Sequence, residues 1–298
     1  MRTLEFLRDP AMREIYFHAA LAGLPLVLAC AVLSVLVVVK RLGFVGQGVS
    51  HSAFGGIGVA ALCSAWGFLP DGAWAGPAHL ALVLVFCIVA ALGMAAVSDR
   101  RTVPVDTAIG MFLVGSMAVG AILVQLARGV AERAQRPGMV QSWESILFGS
   151  ITAAGSADVA LSVLSAAIVL TVLWWVRRPL LFWSLDEESA AAFGIRARRV
   201  KALLLILLAV AVVTAMKLAG VILATALLVL PGAAALKLTD RLYGAVARSC
   251  GIGVTALVVG LVVSIETDWQ AGPSVVMVMV LCFGLSAALG SIRQRTAV

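Results

Sequence analysis

Apolar residues along this chain come in long runs bounded by charge, proline or glycine, at residues 15–39, 46–69, 78–97, 105–127, 159–176, 202–218, 221–236, 251–265 and 273–289. About 20 apolar residues in helical form cross the ~30 Å hydrocarbon layer of a bilayer. The pattern therefore predicts nine membrane-spanning helices. The second run is unusually rich in glycine, and the seventh contains Pro231. Between the fourth and fifth runs, residues 128–158 are too mixed in character to span. Within them, residues 146–152 are apolar enough to dip into the membrane.

Composition sharpens this picture. Of 298 residues, 62% are hydrophobic and 12% charged, against roughly 45–50% and 25% in soluble domains. Mean hydropathy is +1.08. So little charge cannot cover a water-facing surface, which excludes a soluble enzyme, and the excess of apolar residues excludes intrinsic disorder. The expected fold is an all-α polytopic membrane protein, with residues 1–298 forming a single transmembrane domain in contact with lipid.

The net charge of +7 would suggest nucleic acid in a soluble protein. Here it has another origin. Fifteen of the 22 Lys and Arg residues fall on one side of the nine predicted spans, among them Lys40, Arg41, Arg177, Arg178, Arg196, Lys237, Arg293 and Arg295. Seven fall on the other, including Arg13, Arg128, Arg133 and Lys217. Basic residues concentrate on the cytoplasmic side of membrane proteins, so the first side is read as inner and no nucleic-acid partner is expected. Residues 1–13 mix Arg2, Arg8 and Arg13 with Glu5 and Asp9 and show no signal-peptide pattern. The five cysteines form no C-x-x-C pair and lie in or beside apolar runs, as inert buried thiols do.

The chain lacks the motifs by which a protein hydrolyses ATP or peptides. There is no G-x-x-x-x-G-K-S/T phosphate loop, no H-E-x-x-H zinc helix and no G-x-S-x-G nucleophile elbow. Active transport would therefore draw its energy from another protein or from an ion gradient. Three segments carry candidate chemistry. In residues 43–60, GFVGQGVSHSAFGGIGVA, the residues Gly48, Ser52, Gly56 and Ala60 form a stripe of small side chains every fourth position. Such stripes let membrane helices approach closely. The same segment holds His51 one turn after Gln47. An ionisable residue inside a span faces a partner or an aqueous pathway. A neutral imidazole also binds zinc and related metals. A structural hydrogen bond of His51 to Gln47 or Ser50, and a transient metal or proton station, are both open on spacing alone.

Residues 179–200, PLLFWSLDEESAAAFGIRARRV, form the main hydrophilic loop on the inner side. Asp186, Glu187 and Glu188 suit the N-terminus of a short helix, Ala190–Ala192 favour its continuation, and Gly194 suits its stop. In residues 218–236, Pro231 removes a helix hydrogen bond and Gly232 relaxes the backbone beside it. Such breaks are tolerated in membranes against protein or a water-filled cavity.

These segments resemble the permease subunits of zinc/manganese ABC importers, the ABC-3 family. Residues 41–52, RLGFVGQGVSHS, match that family's second-span pattern at the basic start, Gly46, Ser50, His51 and Ser52. Ser184 to Gly194, SLDEESAAAFG, resemble its cytoplasmic pattern, with Glu188 and Ala190 in the Glu and Ala places. Residues 147–150, LFGS, and 220–231, GVILATALLVLP, resemble two further stretches. The matches keep their order over residues 13–288. One position departs: the family's usual Asp, four residues before the His, is Gln47, which offers an amide oxygen in place of a charged, harder ligand. Asp106 is the acidic residue considered as compensation.

The resemblance implies a multi-pass protein of the bacterial inner membrane, similar in architecture to the permeases for siderophores and cobalamin. It implies a permease homodimer, two cytoplasmic ABC ATPase subunits and an extracytoplasmic metal-binding receptor. No cofactor would be bound permanently; zinc or manganese would be the transported substrate, handled by His51 and Gln47. Residues 179–200 would hold the coupling helix, docking through Asp186, Glu188, Ala190 and Gly194. Pro231 and Gly232 would mark a helix break along the pathway. The alternatives are a proton-coupled secondary transporter of a small solute with His51 as relay, and an intramembrane enzyme, which the missing catalytic pairs disfavour.

Overall fold

A computed structural model describes residues 10–70, 75–98, 103–133, 151 and 154–296. The described chain is helical throughout: α1 (Pro10–Val39), α2 (Gly43–Ala65), α3 (Ala75–Ser98), α4 (Val105–Arg133), α5 (Ser156–Trp175), α6 (Arg177–Leu185), α7 (Glu187–Ala192), α8 (Ala197–Leu227), α9 (Leu230–Leu238), α10 (Leu242–Thr267) and α11 (Ala271–Thr296). Among these residues, eight helical stretches are long and apolar enough to cross a membrane. One of them, Ala197–Leu238, is 42 residues long, about 63 Å if straight and so twice a bilayer core. It is not straight. Gly220 interrupts it with φ 83° and ψ 167°, and a second interruption separates α8 from α9. The sixth and seventh predicted spans thus share one stretch that holds the length of two crossings.

Two further boundaries differ from the sequence reading. The fourth helix runs on to Arg133, because Ala127, Val130 and Ala131 continue its apolar periodicity past Arg128. The inner loop contains two helices, since Arg177–Leu185 is itself helical before the predicted one. The LFGS stretch at residues 147–150, and most of the segment suggested to dip into the membrane, lie outside the described residues.

The chain divides into two compact units. The first comprises residues 1–43, 144–195 and 214–298. Its centre is α1, whose Leu26, Ala29, Cys30, Ala31, Leu33 and Ser34 are buried. Neighbouring helices hydrogen-bond to its backbone through serine hydroxyls. Ser162 Oγ of α5 donates to the Ala22 carbonyl at 2.5 Å and Ser249 Oγ of α10 to that of Ala31 at 2.8 Å. Ala22 lies in the turn that Pro25 leaves one amide donor short. Close approach needs small residues here too: a methyl on Gly260 of α10 would stand 2.5 Å from Val275 Cα of α11.

The second unit comprises residues 44–143 and 196–213. Its helices α2, α3 and α4 meet through glycines. A methyl on Gly56 would stand 2.9 Å from Val83 Cα, and one on Gly120 would stand 2.5 Å from the Phe54 carbonyl oxygen. At one end of α2, Ser64 Oγ lies 2.7 Å from His79 Nε2 of α3, and His79 Nδ1 lies 2.7 Å from the Ala75 carbonyl. A proton on Nδ1 donates to that carbonyl, so Nε2 accepts the Ser64 hydroxyl. His79 is thereby absorbed in structure. The remaining histidine, His18, bonds through Nδ1 to the Glu14 carbonyl at 2.9 Å. Exposed aromatic rings gather at helix ends (Trp66, Phe68, Trp174, Trp175, Tyr243 and Trp269), as they do where a membrane meets water.

Candidate functional site

The predicted ion-handling pair sits near the start of α2. His51 is eight residues in from Gly43, about 12 Å along the helix axis. Its ring is half-buried, and Nδ1 stands 3.1 Å from the backbone carbonyl of Gln47. The hydrogen bond expected from spacing is therefore made to the Gln47 main chain. A proton on Nδ1 satisfies that contact and leaves the Nε2 lone pair for a ligand. The Phe54 ring lies 6.0 Å away, centroid to centroid. Phe44, Gln47 and His51 recur at spacings of three and four, and Phe44 and Gln47 are exposed. This edge of α2 is the open one.

The adjacent edge is closed. Gly48, Ser52 and Gly56 are buried, and a methyl on Gly48 would stand 2.8 Å from Ile109 Cγ2 and 3.1 Å from Met94 Sδ. The hydroxyls there are satisfied locally: Ser50 donates to the Gly46 carbonyl at 2.7 Å, and Ser52 to that of Gly48 at 2.8 Å. Ser116 of α4 donates to Ser52 Oγ at 3.3 Å. The small stripe thus makes the close helix contact, while Gln47 and His51 keep their polar groups on the uncovered side. Asp106 is exposed in the first turn of α4, one turn before the Ile109 that meets Gly48. Among the described residues, no three His, Cys, Asp or Glu side chains converge as a metal site. One chain presents an imidazole and an amide, a weak and reversible donor set.

The inner loop is locally over-determined. Asp186 is extended at φ −147° and ψ 112°, and its Oδ1 accepts from the Ser189 amide at 3.2 Å while the Ser189 hydroxyl donates to Oδ2. That is an N-cap for α7. At the other end Gly194 has φ 78°. Its amide donates to the Ala191 carbonyl at 3.0 Å and the Ile195 amide to that of Ala190 at 3.0 Å. This is the paired closure of a Schellman motif, which needs a left-handed residue and so favours glycine. Ala190 is fully buried, where a larger side chain has no room. Glu188 falls within α7, but its side chain lies outside the described residues.

Beside these predicted residues stand others that the sequence reading missed. Phe182 and Phe193 pair at 5.8 Å between ring centroids, and both are exposed, as is Leu185. They form an apolar crest on a hydrophilic loop. In the sequence they stand as Phe and Leu amid charge, a pattern without the helical period that marks an apolar face. Trp183 is buried, and the ammonium of Lys40, the residue after α1, lies 4.2 Å from its ring centroid.

The helix break falls where Pro231 and Gly232 pointed. The backbone leaves helical geometry at Val229 (φ −123°, ψ −52°), and α9 begins at Leu230 with Pro231 in its first turn. A missing N–H costs nothing there, because first-turn amides have no partner within the helix. Ser34 of α1 bonds to two backbone groups at the break. Its Oγ accepts from the Gly232 amide at 2.8 Å and donates to the Val229 carbonyl at 3.2 Å. No spacing rule links Ser34 to residues nearly 200 positions later. At the earlier interruption, Lys217 near Gly220 pairs with Asp158 at 2.9 Å.

The profile of the ABC 3 transport family matches residues 12–290. The chain belongs to that family. It is similar to the manganese transport system membrane protein MntC of Halalkalibacterium halodurans, 29% identical over 96% of this chain and 91% of that one. It is 27% identical to the high-affinity zinc uptake system membrane protein ZnuB of Haemophilus influenzae, over 92% of this chain and 97% of that one. Its structure resembles that of PsaBC from Streptococcus pneumoniae in complex with Fab, with a TM-score of 0.77, 26% identity and 95% coverage of both chains. This ABC 3 chain is thus a multi-pass permease of the bacterial inner membrane, and the resemblance read from its motifs holds across its length. A proton-coupled secondary transporter is not favoured.

Proposed function

We propose that this ABC 3 permease carries manganese or zinc inward, without an ATPase of its own. A separate cytoplasmic ABC ATPase drives it, and an extracytoplasmic receptor feeds it. The named substrates of the relatives support the ion class, since manganese and zinc recur among them. The observation that carries the reading is the open edge of α2, with His51 and Gln47 side by side on it. A second copy of the chain facing that edge would double the donors to two imidazoles and two amides. Asp106 would supply the hard, charged oxygen that Gln47 lacks. Such a set holds a divalent ion in passing. Tight, permanent coordination would defeat release.

Residues 1–298 act as one permease domain. Within it, residues 179–200 present α7 to the ATPase, with Asp186 and Gly194 fixing its two ends, Ala190 its seat and Glu188 adding a negative charge to its sequence. Pro231 and Gly232 let the helix break beside the pathway. No cofactor is needed, because the work is a change of access and no bond in the cargo is made or broken. His51→Ala should abolish manganese and zinc uptake in cells lacking other importers, at equal membrane abundance. Gln47→Asp should retain uptake and favour manganese, since the added oxygen is charged and harder. Wild-type uptake by His51→Ala would return the imidazole to a packing role.

A further inference from the structure

We propose that Ser34 is the positioning residue that holds the helix break at Val229, and that the Lys40–Trp183 contact ties this break to the loop carrying α7. The proposal rests on the coupling role given above to that loop. Its first support is the economy of the contact. The Gly232 amide and the Val229 carbonyl flank Pro231, and a single hydroxyl is acceptor to one and donor to the other, at 2.8 and 3.2 Å. Ser34 has no exposed surface, so water offers no substitute for it. The Val229 carbonyl also accepts from the Ala233 amide at 3.0 Å, which leaves α9 intact whether or not Ser34 is engaged. Release of Ser34 would unbond only the Gly232 amide and one of the two donors to the Val229 carbonyl.

Contact at this point is backbone on backbone. A methyl on Gly232 would stand 2.5 Å from both the carbonyl carbon and Oγ of Ser34. Any shift of α1 along its own axis is thus felt at the break. Six residues further on, just past the end of α1, Lys40 stands over the Trp183 ring at 4.2 Å. Trp183 is 3% exposed and lies three residues before Asp186, the cap of α7. Among the described residues its indole nitrogen is buried with no hydrogen-bond partner, so packing and the nearby cation hold the ring. The chain of contacts runs α7, Trp183, Lys40, α1, Ser34, Val229. Coupling between two sites needs an element with two states that both ends bias; the bonded and released forms of Ser34 would be those states.

The test uses vesicles holding the permease with its ATPase, loaded from outside with receptor and manganese(II), in which uptake and ATP hydrolysis are read together. Ser34→Ala should lower manganese moved per ATP by about tenfold, the scale of one buried hydrogen-bonding group, while hydrolysis continues. Lys40→Met should lower the ratio in the same direction. Ser34→Cys, similar in size but a weak donor and acceptor, should fall between wild type and Ser34→Ala; it decides the matter should the alanine variant not assemble. Ser249→Ala removes another buried hydroxyl from α1, at Ala31, away from the break, and should keep the wild-type ratio. The proposal is overturned if Ser34→Ala keeps that ratio, or if Ser249→Ala lowers it equally. A wild-type complex that moves no manganese with ATP would instead defeat the reading of function on which this rests.

Discussion

Two regions of this permease depart from the standard membrane helix in opposite ways. In α2 the chain removes side chains within one continuous helix: Gly56 and Gly58 let its backbone meet the backbones of α3 and α4, and Gly48 makes room for the side chains of Ile109 and Met94. Around Val229 the chain leaves helical geometry, and Ser34 bonds the Val229 carbonyl and the Gly232 amide from another helix. The first device makes a rigid contact, since dispersion between close backbones has no alternative arrangement to offer. The second makes a joint, since its stability hangs on one exchangeable hydroxyl. A transporter needs both. It needs fixed contacts and places that can bend.

The sharpest way to break the comparison is to load the rigid contact. Gly56→Leu puts a branched side chain where a methyl would already stand 2.9 Å from Val83 Cα. Overpacking of this kind costs about 1–3 kcal/mol or more. The solubilised protein should melt well below wild type, while Gly115→Leu in α4, with nothing within 4 Å, should melt like wild type. Equal melting of the two would show that the small stripe faces open space.

A smaller loss of stability, with a larger loss of transport, is expected at the joint. Gly232→Ala brings a methyl to 2.5 Å from Ser34 Oγ and displaces the hydroxyl from the Gly232 amide, at about 1–3 kcal/mol for a buried donor left unpaired. Uptake should fall further than folded yield. If both fall in proportion, the break is a static packing feature.

The mildest effect should come from the loop. Gly194→Ala forces a side chain into a left-handed conformation at φ 78°, at a cost of about 1 kcal/mol. Because this residue lies at the end of a six-residue helix on the surface, global melting should hardly change. ATPase association, measured by co-purification, should weaken.

Much of this was legible in the sequence, for reasons that differ by element. The spans were legible because about 20 apolar residues in a row have few other physical uses. The caps of α7 were legible because Asp and Gly act on residues within four positions of themselves. The small stripe was legible in the same way, through a four-residue period on one helix. What stayed hidden depends on distance along the chain. Ser34 looks like any small residue in an apolar run until Val229 and Gly232 are folded against it. Lys40 reads as an inner-flank charge until Trp183 lies beneath it. The continuous 197–238 stretch was hidden for another reason: Gly220 breaks direction through a backbone angle, and hydropathy does not record angles.

The central claim is that this chain passes a divalent metal across the membrane at the cost of ATP hydrolysed by another subunit. Uptake of manganese(II) or zinc(II) into vesicles tests it most directly, with permease, ATPase and receptor purified separately and combined. Uptake should require all three components and ATP, and should be lost with His51→Ala while ATPase binding persists. Metal entry that proceeds without the ATPase, or that follows an imposed proton gradient instead of ATP, would contradict the account.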